Sequence, residues 1–324
     1  MTSDAAPERA AATLPDGREL TVRLAVPADA PAILDMVHRA FLARPVAGER
    51  PDALKDDVRS IEARLDNGLG YLTLIDDRPV GVVMVARQRG ALRLGRVCVL
   101  PEHRRLGVAS FTVDVVLEDL AVRGEERVQL LARQEFPSLQ AWWRRHGFEA
   151  QGVEGNCVVM ARLLPVAVEV PDADAMRGLG LRLAPLLRAG DLIIASGDLG
   201  SGKTTLAQGV GAGLGVAGPV ISPTFVLARV HPSRDERPAL VHADAYRLGG
   251  AAELDDLGLD DSVAASVTFV EWGAGVAEAL ASDRLEIDIR RGIDPDDETR
   301  WVFLTPIGAR WSHDALATAA KGDA

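Results

Sequence analysis

Eight consecutive residues, Gly197-Asp198-Leu199-Gly200-Ser201-Gly202-Lys203-Thr204, fit the pattern G-x-x-x-x-G-K-[ST]. Glycines at 197, 200 and 202 let the backbone curl so that successive N–H groups point at phosphate oxygens. The lysine at 203 neutralises the β- and γ-phosphates, and the Thr204 hydroxyl ligates magnesium. The chemistry this predicts is binding and hydrolysis of a nucleoside triphosphate with Mg2+. The binding residues are Gly197, Gly200, Ser201, Gly202, Lys203, Thr204 and Thr205. A magnesium site of this kind also needs a carboxylate at the end of a neighbouring buried strand. Asp244 follows Leu240-Val241-His242-Ala243 and Glu271 follows Val267-Thr268-Phe269-Val270. Both are catalytic candidates beside Lys203, and the sequence does not decide which touches the metal.

A second constellation lies upstream. The apolar stretch before residue 100 runs into Pro101-Glu102-His103-Arg104-Arg105-Leu106-Gly107-Val108-Ala109. A strand, a basic glycine-containing turn and a helix start make an anion cradle, in which backbone amides meet a pyrophosphate. Arg104 and Arg105 can add charge-assisted contacts.

The elements that must position these groups read as two domains in 324 residues. Residues 1–17 read as a disordered tail closed by the turn Pro15-Asp16-Gly17. Residues 18–163 then give a strand (20–25), a helix (27–41), a polar region and three β-rich runs (71–75, 80–85, 91–100). A helix (107–123), a strand (128–132), a helix around 139–146 and a strand (157–163) follow, and Pro165 marks the boundary. Residues 166–324 open on a strand (166–170) and a helix signalled by Asp172 and Asp174. Its apolar face is Met176, Leu179, Leu183, Leu186 and Leu187; Pro185 distorts it and Gly190 ends it. A strand (192–196) leads into the glycine loop, a helix starts near Lys203, and strands follow at 240–243, 267–270, 285–289 and 302–304. Residues 292–299 read as an acidic loop.

Composition narrows the partners. Residues 1–164 carry 22 Lys+Arg against 23 Asp+Glu, and residues 165–324 carry 14 against 24, so most of the net −11 sits in the second half. That half lacks the clustered cations needed to grip a nucleic-acid backbone by itself. No long uncharged apolar stretch reads as a membrane span, and the first twenty residues have no apolar core of a secretory signal. Cys98 and Cys157 have no metal-ligand spacing and read as core residues of a reduced, cytoplasmic protein.

The phosphate loop with Thr205, then Ser222-Pro223-Thr224-Phe225, His242-Ala243-Asp244-Ala245-Tyr246-Arg247, residues 253–258 and Glu271-Trp272, resembles the bacterial tRNA threonylcarbamoyladenosine biosynthesis ATPase family (TsaE) over 166–311. The resemblance implies an α/β P-loop ATPase working with the two other subunits of the threonylcarbamoyl-transfer machinery (TsaB and TsaD type). These would hold the tRNA whose adenosine beside the anticodon is modified. It assigns magnesium to Thr204 and Glu271, places Asp244 near the γ-phosphate, and makes 222–225 a switch-like loop. One departure is Met176, where family members often carry a threonine. Arg104-x-x-Gly107-x-Ala109 and Ala141-Trp142-Trp143-Arg144-Arg145-His146-Gly147-Phe148 resemble the GCN5-related N-acetyltransferases (GNAT), an α+β fold, over 18–163. That resemblance implies acetyl-CoA as cosubstrate. Its pantetheine would pair with backbone groups of Val97 and Val99, and its pyrophosphate would rest on amides of Arg104, Arg105, Leu106, Gly107, Val108 and Ala109. Trp143 stands where many members carry a tyrosine; Tyr71, Glu102 and His146 are the other candidate acids or bases.

The chain therefore reads as an acetyltransferase-like domain fused to a threonylcarbamoyladenosine-pathway ATPase. Two rival readings stay open: a P-loop small-molecule kinase fused to an acetyltransferase, and a regulatory protein that only binds nucleotide and acetyl-CoA. The acetyl acceptor is not legible.

Overall fold

The computed structural model describes residues 9–44, 50–223, 227–246, 264–291 and 298–322. Thr224, Phe225, Arg247, residues 253–258 and most of the acidic loop lie outside the described residues. The chain divides into two compact units after Leu164.

The first unit holds strands β1 (Arg9–Thr13), β2 (Glu19–Leu24), β3 (Gly68–Ile75), β4 (Arg78–Gln88), β5 (Ala91–Val99), β6 (Arg127–Arg133), β7 (Glu149–Glu154) and β8 (Cys157–Leu163). Their order in one sheet is β1-β2-β3-β4-β5-β6-β8-β7. Helices are α1 (Ala30–Leu42), α2 (Val58–Asp66), α3 (Val108–Val122) and α4 (Pro137–Arg145). Alternation along β3 sorts the faces. Leu72 joins the cluster built by Ile33, Met36 and Val37 of α1, while Tyr71 and Thr73 meet Asp119 and Thr112 of α3.

The tail expectation fails at Arg9–Thr13, which pairs antiparallel with β2. Pro15-Asp16-Gly17 is the reversal of a hairpin: Gly17 adopts φ 86° and donates its N–H to Leu14 O. The small residues of β1 carry little strand signal, so backbone pairing to the edge of β2 decides their state. Helix α2 lies in what read as a polar region, and its start is written in a local capping box between Asp57 and Ser60. Strand β7 is almost wholly exposed and lacks alternation; its pairing to β8 makes it a strand.

The second unit contains β9 (Val166–Val170), α5 (Ala173–Leu183), β10 (Leu192–Ser196), α6 (Lys203–Gly213), β11 (Ala228–His231), β12 (Ala239–Asp244), β13 (Ser266–Glu271), β14 (Arg284–Arg291), β15 (Arg300–Ile307) and α7 (His313–Lys321). The sheet order is β11-β12-β13-β10-β14-β15-β9. Strands β12, β13, β10 and β14 run parallel. Parallel strands covered on both faces read as unbroken apolar runs, and β13 is buried at every position. Ile193 and Ala195 of β10 face α5 and α6, while Leu192 and Ile194 face the opposite cluster with Val241 and Val270. Asp172 caps α5 by accepting from Ala175 N at 2.8 Å, and past Leu183 the chain tightens into a 3-10 turn, Ala184–Leu186, around Pro185.

Helices α5 and α6 approach backbone to backbone at Gly180 and Gly209. A Cβ on Gly209 would stand 2.1 Å from Arg177 O, and one on Gly180 would stand 2.5 Å from Leu206 O. Gly209→Ala is expected to destabilise this unit by about 1–3 kcal/mol, the range for overpacking a tight interior. Hydrogen-exchange protection of α5 and α6 is the readout; unchanged protection would contradict the close crossing.

Candidate functional site

Strand β10 delivers the chain into Gly197, whose φ is 135° and whose Cβ, were there one, would lie 2.3 Å from Ile289 O. Only glycine fits there. The loop closes at Gly202, the cap of α6, in a left-handed conformation with φ 112°. Beneath it lies Met176: a Cβ on Gly202 would be 3.2 Å from the Met176 methyl. Met176 is thus a buried support for the underside of the loop. On the outside, Arg291 donates from Nη2 to Gly200 O at 2.9 Å, while Leu199 at the tip is 86% exposed.

The Lys203 ammonium is folded against its own loop. Nζ donates to Gly197 O at 2.7 Å and Asp198 O at 2.9 Å, and it lies 4.0 Å from the centroid of the Trp272 ring. Burial pushes its pKa below the usual lysine value, against the pull of Glu271, Asp244 and Asp198. Trp272, with φ 58°, packs on this ammonium, and the exposed Tyr246 ring sits 5.2 Å beyond it. Ser201 is buried, and its Oγ has no hydrogen-bond partner among the described residues.

Register brings the acidic pair together. Asp244 and Glu271 are Cα partners at the C-terminal ends of the parallel strands β12 and β13, and Glu271 is also level with Ala195 of β10. Both carboxylates are buried. Thr204 donates its hydroxyl to Glu271 Oε1 at 2.7 Å, and His242 Nε2 stands 2.8 Å from the same oxygen. Asp244 Oδ1 accepts from Tyr246 N at 3.0 Å. A hydroxyl and two carboxylates are hard oxygen donors, the set that suits magnesium. His242 and Arg291 were not among the expected site residues. His242 stands two residues before Asp244 on a strand, a spacing that puts both on one face, and this was the available signal. Arg291 left none, because it arrives from β14 through the fold. Thr205 follows Thr204 in the first turn of α6 and is half-buried.

In the first unit, β5 pairs with β6 only at Arg93↔Gln129 and Leu94↔Leu130. Beyond Gly95 the two strands diverge, next to a register shift in the β4–β5 ladder and an Arg96 φ of 53°. Val97 and Val99 lie on this stretch with no β6 partner, and Val97 O accepts from Arg44 Nη2 at 3.2 Å. The chain then turns through Arg105 (φ 65°) and Gly107 (φ 80°) into α3, so amides of Val108 and Ala109 open the helix. Arg104 reaches back to Ala40 O at 3.0 Å, tying the end of α1 to this turn.

The candidate acids and bases are otherwise engaged. Tyr71 is buried and donates to Asp119, which also accepts from Arg123 Nε at 2.7 Å; burial drives the phenol pKa far above its usual value. Tyr71→Phe is expected to cost about 1.5–3 kcal/mol of stability, the value of a hydrogen bond to a charged group. Coenzyme A affinity should not change; calorimetric titration beside thermal melts checks both. Glu102 pairs with Arg39 at 2.5 Å. His146 lies 4.0 Å from the Trp142 ring centroid, with Nδ1 2.9 Å from Trp142 O. Trp143 is a core residue set edge-on to Phe148. Burial pushes the Cys98 thiol up to about 12, so it is no nucleophile at neutral pH.

A sheet with four parallel central strands, a glycine loop leading from one of them into a helix, and carboxylates at the neighbouring strand ends define a P-loop nucleotide-binding domain; it is joined to an α+β domain with a GNAT fold. Residues 170–300 match the family described as threonylcarbamoyl adenosine biosynthesis protein TsaE, and residues 32–148 match the acetyltransferase (GNAT) family. A tRNA threonylcarbamoyladenosine biosynthesis protein TsaE of Streptomyces coelicolor is 59% identical over 139 residues, 42% of this chain and 94% of that protein. The protein of the same description from Mycobacterium leprae is 52% identical over 120 residues, 35% of this chain and 74% of that one. A crystal structure of Bacillus subtilis YdiB superposes with a TM-score of 0.37 at 28% identity, covering 46% of this chain and 89% of that one. Through its second unit the chain belongs to the TsaE family, and its first unit makes it a fusion with an acetyltransferase domain. Among the described residues no helix is long and apolar enough to cross a membrane.

Proposed function

We propose that residues 166–324 hydrolyse ATP with Mg2+ as the ATPase of the tRNA threonylcarbamoyladenosine pathway. The observation that carries this is the meeting of Thr204, Glu271 and Asp244 beside the loop that presents Lys203. Magnesium would be held by the Thr204 hydroxyl and Glu271, and would offset charge on the phosphates. Loop amides and Lys203 bind and orient the β- and γ-phosphates. Asp244, level with Glu271, would hold the attacking water. The acidic balance of this half supports a division of labour in which TsaB- and TsaD-type subunits hold the tRNA. The test is depletion of the protein followed by nucleoside analysis of bulk tRNA: threonylcarbamoyladenosine should fall, and an unchanged level sinks the reading. ATP turnover that releases phosphate without a phosphorylated product separates it from a small-molecule kinase.

We infer that residues 18–163 bind acetyl-CoA along the open edge at Val97 and Val99, with its pyrophosphate at the amides that follow Arg104. The thioester supplies an activated acetyl group. An acceptor amine attacks its carbonyl carbon, the C–S bond breaks, the amine loses a proton and the thiolate gains one. The support is the divergence of β5 from β6 beside a left-handed turn into α3. Ala109→Glu sets a carboxylate among the cradle amides, and it should weaken coenzyme A binding by about tenfold or more through like-charge repulsion. Unaltered affinity in a calorimetric titration would place the coenzyme elsewhere.

A further inference from the structure

His242 has no function in the reading so far, yet it is fully buried and sits against the metal-site carboxylate. Its Nε2 and the Thr204 hydroxyl approach one oxygen, Glu271 Oε1, at 2.8 Å and 2.7 Å. An ionised carboxylate only accepts, so both neighbours donate, and the ring is held with its proton on Nε2. Nδ1 has no partner among the described residues, so Glu271 alone fixes the ring's polar edge. Phe269, two residues before Glu271 on β13, meets the imidazole at 85° with centroids 5.7 Å apart and fixes its plane. With two donors on Oε1 the carboxylate is held in one orientation, and among the described residues Oε2 has no hydrogen-bond partner.

We propose that His242 is a positioning residue that orients Glu271 for divalent-cation binding through a hydrogen bond from Nε2–H. This rests on the proposed magnesium site and deepens it. The ring contributes no ligand atom. It lowers the cost of ordering the carboxylate before the cation arrives, as outer-shell partners of metal ligands do, and their loss weakens metal affinity by about 10- to 100-fold.

The experiment uses the full chain, manganese as a paramagnetic probe and a fluorescent ATP analogue. Manganese affinity of the nucleotide complex is measured by electron paramagnetic resonance, and analogue affinity is measured separately in EDTA. His242→Phe keeps the ring and removes the donor: manganese affinity should drop by about 10- to 100-fold while metal-free nucleotide binding stays within about twofold. His242→Gln carries its amide nitrogen to the depth of Nε2 and should restore manganese affinity to within about threefold of the native protein. His242→Asn, equally polar but too short, should behave like the phenylalanine variant. Native manganese affinity in His242→Phe overturns the proposal, as does equal loss in the glutamine and asparagine variants or an equal loss of nucleotide binding in EDTA. Failure of the native protein to bind manganese with nucleotide would instead overturn the magnesium-site reading beneath it.

Discussion

Lys203→Ala is expected to reduce kcat/KM for ATP hydrolysis by about a hundred- to a thousand-fold, or ~3–4 kcal/mol of transition-state stabilisation. The ammonium is folded inside the loop, with Nζ within 2.9 Å of two loop carbonyls. Binding triphosphate requires those contacts and the Trp272 face to be exchanged for phosphate oxygens. Because the buried group rests on loop carbonyls, its charge acts at a dielectric below that of water. Lys203→Arg should not rescue the activity, since a planar guanidinium does not fit the site of a compact ammonium stacked 4.0 Å from an indole. Steady-state phosphate release measures both variants. Turnover within about threefold of the native protein would mean that the loop binds nucleotide without being the hydrolytic site.

The second large effect separates the two carboxylates. Glu271→Gln removes a charge that accepts from two neighbours, the Thr204 hydroxyl and the His242 ring, and that would bind the cation directly. Hydrolysis should fall by about 100-fold or more at low magnesium, with part of the loss recovered at high magnesium, because the defect is in metal affinity. Asp244→Asn should behave differently. Its Oδ1 already accepts the Tyr246 amide, and its proposed role is with the attacking water and not the metal. There kcat should fall by about 100-fold at every magnesium concentration, with the magnesium requirement within about threefold of native. Magnesium titrations of both variants decide. Identical profiles would contradict the division of roles, and a reversed pair would exchange them.

The stability of the first unit depends on buried polar pairs that a sequence cannot display. Tyr71 is the one tyrosine before residue 165 and invites a catalytic reading. Its environment denies one: the phenol is closed in the core on Asp119 and Arg123. Arg96, in a left-handed conformation, is held at 2.5 Å by Asp56, and it marks the point where β5 leaves β6. The open edge at Val97 and Val99 is therefore the product of a sheet that separates, with an ion pair fixing where it does so.

What the sequence by itself determined is local. The left-handed angles at Gly197 and Gly202 follow from residues that alone tolerate them; the Asp172 cap starts α5, and Pro185 distorts its end into a 3-10 turn, so that the helix stops at Leu183, ahead of the stop expected at Gly190. Apolar runs announced β10, β12 and β13, because strands buried on both faces must be apolar throughout, whereas β14 was marked by the alternation of Leu285, Ile287 and Ile289 with charged residues. Tertiary structure alone decided the rest. Asp244 and Glu271 lie 27 positions apart in the chain, and only the parallel register of β12 on β13 makes them neighbours. Strand order, the convergence of His242 and Thr204 on one oxygen, and the stacking of Lys203 on Trp272 are outcomes of packing between distant segments. The physical reason is range. Backbone angles and caps are fixed by atoms a few bonds away, whereas register and burial are fixed by which surfaces exclude water together.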